Sequence, residues 1–190
     1  MNTIEKKVEQ FHIKRQYSTE TMKAIRDIEK DLGAALPVDY TDFLLQFSPF
    51  TFDEKEAVIY PDSLPTEETP ISFHFYSTNN DQHNLMVLYN RYRGRMPEEI
   101  IPIAECPGGD QLCIGIANKA GGKIYFWKHD MEKTTVASIH DLWEPLHLLY
   151  PSFYDFVMAW EESKEEAFEA PVIEEIKITD KFLARLKKND

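Results

Sequence analysis

The apolar residues of this chain follow two different periods, and a chain patterned that way folds as helices laid against a sheet. Tyr40, Phe43, Leu44 and Phe47 recur at i, i+3, i+4 and i+7 behind Leu36-Pro37-Val38-Asp39. Pro37 suits a first helical position, Asp39 sits where the positive helix end favours a carboxylate, and Pro49 breaks the helix. Leu85, Leu88, Tyr89 and Tyr92 repeat the stripe between a cap at Asn79 or Asn80 and the stop signals Gly94 and Pro97. Phe153, Phe156, Val157 and Trp160 repeat it again behind Ser152, with Asp155 at capping-box spacing. Upstream, Ser18 or Thr19 is placed to cap a helix whose stripe is Met22, Ile25, Ile28 and Leu32, ended by Gly33. Ile4, Val8 and Phe11 predict a further N-terminal helix.

Between these stripes the period falls to two. Ala57 to Tyr60 and Ile71 to Tyr76 read as strands, the second with Ile71, Phe73 and Phe75 on one face, and Pro61, Pro65 and Pro70 confine the stretch between them to a loop. Ile100 to Ala104, a turn at Pro107 to Asp110, Gln111 to Ala117, a Gly121-Gly122 turn and Lys123 to Trp127 then read as an antiparallel meander. On Gln111 to Ala117, Leu112, Ile114 and Ile116 share one face. The small Cys113, Gly115 and Ala117 on the other let a second layer or a partner approach closely. The expected class is α+β: an antiparallel or mixed central sheet flanked by helices, as one domain over residues 18–162. Residues 1–17 form a helical extension. Residues 163–190 form an acidic one, with Val172, Ile173, Ile176 and Ile178 before a short terminal helix carrying Phe182, Leu183 and Leu186.

Charge narrows the function. Thirty-three acids against 21 bases give a net charge of −12, which repels nucleic-acid phosphates and anionic lipid. The acids cluster in two blocks, Thr51 to Asn80 and Glu161 to Glu175. No apolar run approaches the roughly 20 residues of a membrane span, and the first ten residues carry Glu5, Lys6, Lys7 and Glu9 in place of a signal segment. Cys106 and Cys113 are expected as two reduced thiols, and the protein as cytoplasmic.

No phosphate-binding loop, nucleophile elbow, Cys-x-x-Cys or His-Glu-x-x-His occurs. The hairpin brings Glu105, Asp110, His129 and Asp130 toward one end of the sheet, where carboxylates and imidazole are able to bind a metal or move protons. Against that stands the ordinary role of aspartates at turns, where the side chain bonds the backbone. His140 and His147 flank Trp143 at a spacing that would place both on one face of a helix.

The order of four landmarks resembles the SUKH superfamily of fungal cell-wall-assembly regulators and bacterial toxin-immunity proteins. Leu36-Pro37-Val38-Asp39-Tyr40 with Phe43-Leu44 is similar to its second-helix signature, and Ile101-Pro102-Ile103-Ala104 to its central strand. Gly109-Asp110 with Leu112 to Ile116, then Ile124-Tyr125-Phe126-Trp127 into His129-Asp130, resembles the hairpin that follows. Ser152-Phe153 with Phe156 resembles the closing helix. One loop departs: Ser48-Pro49-Phe50 stands where relatives often carry Asn-Gly-Gly.

The resemblance implies a non-catalytic protein that needs no cofactor and neutralises a cognate toxin by binding it. A regulatory scaffold without a toxin partner and a metal-dependent hydrolase at the Glu105 cluster are the alternatives. An acidic binder suits a basic toxin domain, such as a nuclease, because steering speeds encounter. The expected surface combines Asp53, Glu54, Glu56, Glu67 and Glu68 with Asp110, Asp130 and an exposed aromatic anchor, Trp127. A homodimer is compatible with the same surface properties.

Overall fold

In the computed structural model, which describes residues 3–13, 19–48, 57–64, 70–79 and 82–163, the helices and strands read from the sequence appear in their expected order, joined by three short elements it did not announce, at Ile139–Trp143, Leu146–Tyr150 and Glu161–Glu162. They are α1 (Thr3–Glu9), α2 (Thr19–Leu32), α3 (Val38–Phe47), β1 (Ala57–Ile59), β2 (Ile71–Ser72), β3 (His74–Phe75), α4 (Leu85–Tyr92), β4 (Ile100–Glu105), β5 (Gln111–Gly115), β6 (Ile124–Trp127), α5 (Ile139–Trp143), β7 (Leu146–Tyr150), α6 (Phe153–Met158) and β8 (Glu161–Glu162). The strands form two antiparallel sheets, one of five strands in the order β3-β4-β5-β6-β7 and one of three in the order β2-β1-β8. This is the α+β class the two periods imply.

The run from Ile71 to Tyr76 is shared between the sheets. It breaks at Phe73, so β2 pairs with β1 and β3 pairs with β4, while Ile71, Phe73 and Phe75 all stay buried. In β4, Pro102 pairs with Cys113 and the next paired residue is Ala104, leaving Ile103 as a bulge. A proline removes one ladder donor, and a bulge absorbs that loss. The Ile103 carbonyl accepts the Tyr76 N–H at 2.9 Å.

Helices α1, α2, α3 and α6 contribute apolar side chains to a single core over one face of the large sheet. Its centre is Phe43, whose ring stands 5.4, 5.1, 5.1 and 6.1 Å from those of Phe47, Phe75, Phe153 and Trp160. Each such pair adds about 1 kcal/mol to the area it buries. Phe11 sits edge-on to Trp160 at 5.7 Å, which ties the N-terminal helix α1 to the end of α6. The other face of the sheet carries a smaller cluster of Met96, Ile100, Cys113, Ala120, Tyr125 and Trp127.

Three local expectations need correction. In α2 the inward stripe is Thr21, Ile25 and Ile28, while Met22 is exposed and its sulfur lies 3.6 Å from Arg26 Nη2. Counting back from Ile25 by one helical turn reaches Thr21, so Met22 falls a residue out of phase. The cap of α4 is Asn84, whose Oδ1 accepts the Met86 N–H at 2.8 Å, so the helix starts later than a cap at Asn79 or Asn80 would place it. His140 and His147 share no helix: the first lies on α5 and the second on β7. Ser138 and Asp141 form the capping box that starts α5. Both cysteines are buried thiols, and the terminal positions Val172 to Leu186 lie outside the described residues.

Candidate interaction surface

Pairing of β1 with β8 joins two segments far apart in sequence, each of which borders an acidic stretch. Ala57 faces Glu162 and Val58 faces Glu161 across the ladder. Glu161, Glu162 and Asp62, just past β1, are all exposed. The Tyr150 phenol is pushed up to about 12, first by burial and then by the charges of Asp62 and Glu161.

Five of the expected site residues, Asp53, Glu54, Glu56, Glu67 and Glu68, fall in residues 51–56 and 65–69, outside the described residues. In sequence they flank β1 on both sides, with Glu56 directly before Ala57. Beside β8 runs a groove of about 590 Å³ lined by Lys7, Phe11, Trp160, Glu161 and Glu162 among others. An exposed aromatic is also present here: Tyr60, directly after β1, is 38% exposed. Its signal in sequence is the Tyr60-Pro61 step, since a proline donates no ladder hydrogen bond and ends the strand.

Asp110, Trp127 and Asp130 belong to a different place, the end of the large sheet where Gln111 pairs with Trp127. The expectation of Trp127 as an exposed anchor is overturned, because its side chain is 0% exposed. Tyr92 packs edge-on against its ring at 5.4 Å and the Arg95 guanidinium stacks over it at 5.2 Å. Arg95 in turn makes a two-pronged ion pair with Glu132, its Nε 2.6 Å from Oε1. Alternation along β6 points Trp127 into the second face of the sheet, and residues 92–96 cover that face.

Asp110 Oδ1 accepts the His129 backbone N–H at 2.9 Å and lies 2.9 Å from His129 Nδ1. The preceding turn at Pro107–Gly109 holds Gly108 and Gly109 at φ 80° and 91°, where a side chain would be strained. Gln111, buried behind it, donates to the Gly109 and Asp110 carbonyls and accepts from Tyr76 Oη. The turn is therefore built from Asp110 and Gln111. Of the four residues weighed as a metal or proton-transfer cluster, Asp110 and His129 meet. Among the described residues no three His, Cys, Asp or Glu side chains converge as a metal site, nor is any helix long and apolar enough to cross a membrane.

The departing loop has its own chemistry. Ser48 is fully buried, its Oγ 2.9 Å from Thr78 Oγ1 and accepting the Thr78 N–H at 3.2 Å. A buried hydroxyl so paired fixes the end of α3 to the segment before α4.

Residues 20–159 match the family model of the SMI1 / KNR4 family (SUKH-1). The chain belongs to that family. It is also similar to the SPbeta prophage-derived uncharacterized protein YokK of Bacillus subtilis (strain 168), at 31% identity over 179 residues, 86% of this chain and 88% of the relative. The family match runs from α2 to the end of α6, so it contains the aromatic core apart from Phe11 and Trp160, both faces of the large sheet and β1. The helix α1 and the acidic strand β8 lie outside it.

Proposed function

We propose that this SUKH-1 protein is an immunity protein, cytoplasmic and non-catalytic, that binds a basic toxin domain and blocks it sterically. The observation that supports the reading is the β1–β8 ladder, which sets Glu161 and Glu162 beside the strand that Glu56 precedes and Asp62 follows in sequence. Acids gathered there attract a cationic surface from a distance, and a ring such as Tyr60 supplies apolar contact once the surfaces meet. A catalytic reading has less support, since the Asp110–His129 pair is engaged in holding a turn.

The test is co-expression with the toxin encoded beside the gene. Rescue of growth and recovery of a one-to-one complex are expected. Failure of both with an active toxin overturns the proposal and leaves the scaffold reading. Within a complex, replacing Glu54, Glu56, Glu67 and Glu68 with lysine slows association and flattens its salt dependence. Unchanged kinetics would move the toxin site away from the small sheet.

A further inference from the structure

We draw no further inference here: the strongest candidate, the exposed apolar strip formed by Ile139 on α5 and Leu148 on β7 at the margin of the large sheet, carries nothing because nothing in the structure shows what covers it.

Discussion

Asp110 and His129 hold each other at the end of the large sheet: one carboxylate oxygen receives the backbone N–H and lies 2.9 Å from the ring nitrogen of the same histidine. The two residues close neighbouring connections, Asp110 at the turn before β5 and His129 just after β6. A contact of this kind fixes the relative position of two loops. It leaves the carboxylate little freedom to serve as a general base.

Asp110→Ala removes both contacts and frees the turn after β4. The pair is partly exposed, so the expected loss is modest, about 1 kcal/mol. Urea denaturation measures it, with Asp130→Ala as the exposed control that changes little. A loss for Asp130→Ala as large as for Asp110→Ala would show that the turn is organised otherwise.

Arg95 offers a second test. Its guanidinium stacks on Tyr92 at 4.8 Å and on Trp127 at 5.2 Å while its fork engages Glu132. Lysine keeps the charge but loses the fork and the planar stack, so Arg95→Lys costs about 1–2 kcal/mol. Emission from Trp127 shifts in the same variant because the ring loses its cover. Arg95→Lys with wild-type stability and spectrum would mean that the stack contributes nothing.

Much of this architecture was legible beforehand because period is a direct readout of which side chains face a core. The aromatic stripe of α3, the Leu112 and Ile114 face of β5 and the Ser152 cap of α6 all follow from it. Position in space was less legible. Trp127 alternates correctly on its strand, yet burial depends on Tyr92 and Arg95 arriving from a segment well upstream, which no local pattern encodes. The pairing of β1 with β8 is equally non-local, and two glutamates in a row read as solvated tail until their strand partner is known. Short α5 and β7 escaped because five residues give too few repeats to fix a period, although Ser138 and Asp141 carried the cap spacing.

Gly115 shows how the small residues of β5 are used. A Cβ there would lie 2.0 Å from the Ala120 carbonyl oxygen, so this chain's own turn occupies the space the small side chains leave. Backbone cannot step aside as a flexible side chain does, and Gly115→Ala is expected to cost about 3 kcal/mol or to prevent folding. Gly121→Ala is the comparison, since its Cβ would meet nothing nearer than 3.5 Å. Equal thermal midpoints for the two variants would show that the Asn118–Ala120 turn gives way.

Acid stability depends on Asp141. Lys133 Nζ lies 2.6 Å from its carboxylate, and the N–H groups of Ser138 and Ala137 donate to it at 2.8 and 3.0 Å. These donors, Lys133 first, hold the carboxyl well below the usual range. A folded-state value below the unfolded one means the unfolded chain takes up the proton first. The contribution is therefore complete above the ordinary aspartate pKa of about 3.9 and is lost as pH falls below it. Lys133, pushed up to about 12 by Asp141 and Glu144, behaves in mirror image: its share is present below about 10.4 and lost as pH rises through the folded value. Asp141→Asn removes the acid-side term, so its urea midpoint declines less steeply than wild type below about pH 4, although it starts lower at neutral pH. Parallel curves in that window would show that the α5 capping box does not couple to protons.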